Sequence, residues 1–182
     1  ASESFQVRII GKGGHGALPS SAIDPILASA QIINSLQSIV SRNVSPLKTG
    51  VVSVTAIHGG DAFNVIPQEV ELKGTIRTFE PEVRYRVLNR FKDISQHLAT
   101  AMECNVEIEL KSITPALVND NEVAKIVRDA VSQLMPDLLI ETEYQTMGSE
   151  DMAYVLEQIP GCFMFVGSAN DKINLSYPHH HP

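Results

Sequence analysis

Over residues 1–113 the hydrophobic period switches between two and about 3.6 residues, in an order few folds accommodate. Phe5, Val7 and Ile9 alternate with Gln6 and Arg8, which predicts a half-buried strand over 3–10. Asp24-Pro25 then reads as a helix start, with Asp as N-cap and Pro in the first turn. Ile26, Ala30, Ile33, Leu36 and Val40 repeat at helical spacing as its expected inner face, and Asn43 and Pro46 end it. Val51, Ser53, Thr55 and Ile57 mark a second strand, and Glu69 to Thr78 a third. Pro81 opens a second helix with Val83, Val87, Phe91, Ile94 and Leu98 on one face, and Val106, Ile108 and Leu110 mark a fourth strand. The order β-α-β-β-α-β is the ferredoxin-like, split-βαβ arrangement: an antiparallel sheet with two helices on one face. Its other face, or a sheet edge, is left for a partner.

Pro115 marks a change of pattern. A helix is expected over 121–134, with Val123, Ile126, Val127, Ala130, Val131 and Leu134 turned inward. Leu138 to Tyr144 reads as a strand. Ser149 is expected to cap a short helix through Ile159, with Glu150 and Asp151 in its first turn, where the helix dipole favours acids. Cys162 to Val166 reads as a buried central strand. This α-β-α-β stretch is too short to close a doubly covered sheet, so it reads as part of a larger α/β domain. The expected class is α/β: an α+β ferredoxin-like domain over 1–113, then an incomplete α/β domain over 114–182.

Charge and cysteine usage narrow the function classes. A net charge of −7 disfavours nucleic acid and anionic membranes as partners. No run approaches the ~20 apolar residues of a membrane span. The apolar run Phe5 to Ile10 is too short for a signal peptide, so none is expected. Cys104 and Cys162 lie far apart with no C-x-x-C pair, which fits a reducing, cytoplasmic compartment.

Between the first strand and first helix runs Gly11-Lys12-Gly13-Gly14-His15-Gly16-Ala17-Leu18-Pro19. Four glycines in six positions predict left-handed torsions or a close approach to another surface. The spacing fails G-x-G-x-x-G, so a dinucleotide is not indicated. His15 is the side chain there with acid–base and hydrogen-bonding chemistry. The residue types alone leave two readings open, a functional imidazole and a surface turn with a solvated histidine.

Six motifs occur in register. They are residues 11–19, Asp24-Pro25, Gly59-Gly60-x-x-x-Asn64-Val65-Ile66-Pro67, Gly74-Thr75-Ile76-Arg77-Thr78, Met147-Gly148-Ser149-Glu150-Asp151 and His180-x-Pro182. Together they resemble the M20 metallopeptidases, in the branch of aminoacylases, hippurate hydrolases, auxin-conjugate hydrolases and related carboxypeptidases. The resemblance implies that 1–113 is a ferredoxin-like lid that dimerises, and 114–182 the returning part of a metal-binding catalytic domain. It implies hydrolysis of the amide of an N-acyl amino acid, or release of the C-terminal residue of a short peptide. It also implies a divalent metal, zinc first and manganese, cobalt or nickel as alternatives, in a two-metal site of the intact protein. The family's Cys-x-His motif, Glu-Glu pair and further histidine are absent from this chain, so a fragment or one piece of a split protein is expected.

The same resemblance assigns candidate residues. His180 is the metal ligand, although His179-His180-His181 also reads as the remnant of an affinity tag. His15 polarises the scissile carbonyl and stabilises the oxyanion. Asn64, Arg77 and Gly148 bind substrate, Asn64 and Arg77 through its carboxylate, for which a guanidinium is suited by paired hydrogen bonds. Without the family, Asn64 is a turn residue and Arg77 a surface strand arginine. Glu150 and Asp151 lie beside the metal centre, or are plain helix N-terminal acids. His58 and His97 match no functional position. Two other classes remain open: an isolated lid acting as a non-catalytic dimerisation or ligand-binding module, and a regulatory domain sensing amino acids.

Overall fold

Strand β1 (Ser2–Ile10) lies at the centre of the sheet, because its odd residues are the ones the core can bury. The computed structural model describes residues 1–167 and 169, and they fall into two compact units. The first holds Ala1–Leu117 and Glu143–Tyr154. Its remaining elements are β2 (Gly14–His15), α1 (Pro25–Ser38), β3 (Gly50–His58), β4 (Val65–Ile66), β5 (Glu69–Thr78), α2 (Pro81–Ala101) and β6 (Asn105–Thr114). The four long strands form one antiparallel sheet in the order β3-β5-β1-β6. That is the ferredoxin-like order expected from the sequence. β2 and β4 make a separate two-stranded ladder.

The register places the core. Phe5 pairs with Gly74 and Leu110, and Val7 with Leu72 and Ile108. Phe5, Val7, Ile9, Val70, Leu72 and Ile76 are buried under the two helices. Val83, Val87, Phe91 and Ile94 supply the inner face of α2, as their spacing predicts. Phe5 and Phe91 meet with ring centroids 4.6 Å apart, tilted by 47°. Each fully buried side chain of this size contributes about 1.5–3 kcal/mol. One buried carboxylate interrupts the apolar layer: Glu3 is paired with Arg84 of α2.

Of the five residues expected at helical spacing in the first helix, Leu36 alone is fully buried. Ala28, Ser29, Ile32, Leu36 and Ile39 are inside, while Ile26 and Ala30 are exposed and Ile33 and Val40 only partly covered. The helix is apolar on most sides, so its period alone does not choose a face. Asp24 caps it as predicted, accepting from the Ile26 and Leu27 amides at 2.8 and 3.3 Å. The helix then widens into a π turn over Ile39–Asn43 instead of continuing as α to Asn43.

The segment Glu143–Tyr154 belongs to the same unit, and Tyr154 Oη donates to the Ile113 carbonyl at 2.7 Å. The helix α4 spans only Met152–Leu156. Ser149 does not cap it: its Oγ is buried and has no hydrogen-bond partner. The helix starts after Glu150 and Asp151, whose carbonyls accept from the Ala153 and Tyr154 amides, so neither acid lies in its first turn.

The second unit holds Val118–Thr142 and the described residues from Val155 onward. Helix α3 (Asn121–Leu134) is capped by Asp120, which accepts from the Glu122 and Val123 amides. It buries none of its residues, so the inward face expected there is uncovered in the described structure. Asn119 ties the unit together, donating to Phe163 O and accepting from Phe163 N, both at 2.8 Å. Leu138–Tyr144 and Cys162–Val166 are not strands, contrary to expectation.

Gly74 is where β3, β5 and the Phe5 ring pack most closely. A Cβ there would sit 2.0 Å from Ser53 O and 2.4 Å from Phe5 Cζ. Gly74→Ala is expected to cost about 1–3 kcal/mol through overpacking. Thermal denaturation checks this, and an unchanged Tm would show that the strands part freely at that point.

Candidate active site

After Ile10 the chain leaves the sheet and lies along residues 64–68, backbone against backbone. Gly14 pairs with Ile66 and His15 with Val65 in the β2–β4 ladder. Gly16 N donates to Asn64 O at 2.8 Å, and Gly11 N to Gln68 O at 2.9 Å. On the other side Lys12 and Ile23 exchange both backbone bonds at 2.9 Å. The glycines serve this close approach. A Cβ on Gly11 would fall 2.2 Å from Ile23 O. The expected left-handed torsions are absent from the loop: among the described glycines, Gly60 alone has positive φ, at 80°. An antiparallel ladder holds the loop in extended torsions, which need no left-handed residue.

His15 is exposed at the end of this ladder. Its Nδ1 accepts from the Ala17 amide at 3.0 Å. An amide can only donate, so the neutral ring carries its proton on Nε2. The imidazole is therefore set as a hydrogen-bond donor through Nε2. Around it stand exposed Asn64, Leu18, Phe63 and Val65, with Phe63 at 103% exposure having no cover at all.

Arg77 is elsewhere. Glu69 pairs with Ile10 beside the loop, whereas Arg77 pairs with Ser2 at the opposite end of β1. From Glu69 to Arg77 the strand runs about 27 Å, at ~3.4 Å per residue. Arg77 lies on the sheet face away from the helices, in a row with Ser2 and Thr114. Arg77 Nη1, Ser2 Oγ and Thr114 Oγ1 are all buried without a hydrogen-bond partner. Leaving such a group unsatisfied costs roughly 1–3 kcal/mol, so the row is chemically suited to an acceptor ligand.

The other candidates do not join these. Gly148 is exposed, with its amide bonded to Thr146 Oγ1 at 3.1 Å. Glu150 is half-buried and Asp151 exposed. Among the described residues no three His, Cys, Asp or Glu side chains come together as a metal requires. The described residues therefore do not fit a metal by themselves. His180, with its neighbours His179 and His181, lies outside the described residues. Both cysteines are free. Cys104 is no nucleophile candidate, since burial, with Asp24 nearby, pushes its thiol up. No helix among the described residues is long and apolar enough to cross a membrane.

Gln68 was not visible as a site residue in the sequence. Its Oε1 accepts from Gly13 N at 3.1 Å, and its Nε2 donates to Gly11 O at 2.8 Å. No period or spacing distinguishes a polar residue at a strand start from any other.

Residues 2–103 match the family model described as the peptidase dimerisation domain of M20 peptidases. The chain is 41% identical over 182 residues to the N-acetyl-L-cysteine deacetylase of Bacillus subtilis, covering 100% of this chain and 42% of that protein. It is 34% identical to thermostable carboxypeptidase 2 of Saccharolobus solfataricus, over 98% of this chain and 45% of that one. The crystal structure of the Bacillus subtilis YXEP protein, described as a dinuclear metal binding peptidase from the M20 family, superposes with a TM-score of 0.68 at 30% identity. That match covers 88% of this chain and 39% of the YXEP chain. This chain belongs to the M20 peptidase family. It spans less than half the length of the curated relatives it matches.

The tautomer of His15 is directly measurable. Long-range ¹H–¹⁵N NMR of the neutral ring is expected to show a protonated Nε2 and a bare Nδ1. A ring protonated at Nδ1 would break the Ala17 contact and contradict the loop geometry.

Proposed function

We propose that this chain is the lid, residues 1–113, and the returning catalytic segment, 114–182, of a metal-dependent M20 amidohydrolase. The substrate is an N-acyl amino acid, or a short peptide cleaved at its C-terminal residue. Relatives that remove an acyl group from an amino acid or trim a C-terminus support this class. The observation that carries the reading is the fixed imidazole of His15. A backbone amide occupies its Nδ1, leaving Nε2–H as a donor on an exposed, side-chain-poor loop.

In this reading Nε2–H of His15 stabilises the oxyanion that develops on the scissile carbonyl. Such a donor acts best when its position is set before the reaction. Asn64 lies beside it, and the two are joined through the Gly16–Asn64 backbone bond. The exposed Leu18, Phe63 and Val65 suit an apolar acyl group or a second subunit. Arg77, with its buried unpartnered nitrogen, receives a carboxylate, and Gly148 lines the substrate. The divalent metal, zinc or else manganese, cobalt or nickel, is assigned to donors beyond the described residues. His180 is this chain's own ligand in that assignment, and Glu150 and Asp151 support the centre. The family's dimerisation domain supports a homodimer through the lid. The two free cysteines support a cytoplasmic location. The bare apolar face of α3, with Ile126 and Leu134 exposed, supports further protein packing against the second unit.

His15→Ala, in an intact metal-loaded protein carrying this chain, is expected to lower kcat about 100–1,000-fold with metal content unchanged. Steady-state kinetics on N-acetyl-L-cysteine, with metal analysis of the same samples, checks this. A parental rate overturns the oxyanion assignment and leaves the lid as a dimerisation or ligand-binding module.

A further inference from the structure

We propose that Gln68 is a positioning residue for His15, a role that rests on the reading of His15 as the oxyanion donor. Gln68 holds the glycine loop at three points. Its carbonyl accepts from Gly11 N, its Oε1 from Gly13 N, and its Nε2 donates to Gly11 O. The side-chain amide thus meets the backbone on both sides of Lys12, as a peptide group of a neighbouring strand would. It continues, by side chain, the ladder that β2 and β4 make by backbone at Gly14 and His15. From Gly11 to Gly16 the partners run Gln68, Ile66, Val65 and Asn64 without a break.

The loop needs such a clamp. Its glycines are the residues with the widest torsional freedom, and no side chain of residues 11–14 packs into the core. Without the Gln68 amide, the stretch between Gly11 and Gly14 keeps the Lys12–Ile23 bridge and the Gly11–Gln68 backbone bond. Those contacts hold the start of the loop and leave Gly13 loose. Gly14 and His15 keep their own ladder to Ile66 and Val65, and the Gln68 amide sets how the chain enters that two-residue ladder and so where the ring sits. A displacement of about 1 Å at a reacting group costs on the order of 100-fold in rate.

The test compares Gln68→Met, which keeps the size and loses both side-chain bonds, with Gln68→Glu, which keeps the acceptor for Gly13. In an intact metal-loaded protein carrying this chain, Gln68→Met is expected to lower kcat about 10–100-fold, with KM nearly unchanged and Gln68→Glu between it and the parent. In a His15→Ala background the same substitution is expected to change nothing further. Amide exchange on the full chain, read at Gly13, is expected to accelerate in Gln68→Met while the core amides stay protected. Parental kcat in Gln68→Met, or an equal loss with and without His15, overturns the proposal. Should Gln68→Met fail to fold, Gln68→Glu decides by the same two criteria. A parental rate in His15→Ala is a different failure: it removes the site reading itself, and with it any catalytic consequence of the clamp.

Discussion

The structure depends on backbone meeting backbone at two places where no side chain intervenes. At Gly74 the missing Cβ lets β3 approach β5 and leaves room for the Phe5 ring. Phe5 can then reach Phe91, which fixes helix α2 over the sheet. At Gly11 the missing Cβ lets the chain turn out of β1 against Ile23, just ahead of the Asp24 cap. The first contact sets the core and the second sets the loop. Because both involve β1, the position of His15 follows from the packing of the central strand.

Most of the first unit was legible in the sequence, and the reason is local. Alternation in β1 and β5 and the spacing of Val83, Val87, Phe91 and Ile94 each report one buried face of one element. Asp24-Pro25 reports a cap that needs only its own next residues. Legibility failed where the outcome depends on a distant partner. Helix α1 is apolar on several sides, so the sheet chooses between Ile32 and Ile33. The runs at 138–144 and 162–166 have strand-like composition yet are not strands among the described residues, because composition reports one run and a strand takes two. Ser149 precedes acids like a cap, yet its hydroxyl is buried without a partner and the helix begins only at Met152. Of the three residues expected to face one substrate, His15 and Asn64 lie side by side and Arg77 does not, and Gln68 escaped because its partners are backbone atoms of a loop more than fifty residues away in the chain.

The separation of His15 from Arg77 constrains any substrate model. Arg77 lies at the end of the four-stranded sheet opposite the His15 loop, farther from it than an N-acyl amino acid is long. If both groups touch one substrate, they do so from different copies of the chain. A dimerisation domain is the kind of module that can supply this. The exposed apolar residues Leu18 of the His15 loop and Phe63 of the segment before β4 suit the same arrangement, since each leaves apolar surface uncovered in water.

The hydrogen bond at His15 Nδ1 also decides what kind of chemistry the ring is suited to. To accept a proton at Nε2, the neutral ring would first have to move its proton to Nδ1, and taking up the second proton would leave both nitrogens protonated. Either change puts a donor against the Ala17 N–H. The lost hydrogen bond is worth about 1 kcal/mol, and the facing donors add repulsion. Nothing comparable opposes donation from Nε2–H to an incoming oxygen. The loop backbone therefore presents His15 to the surface as a donor through Nε2.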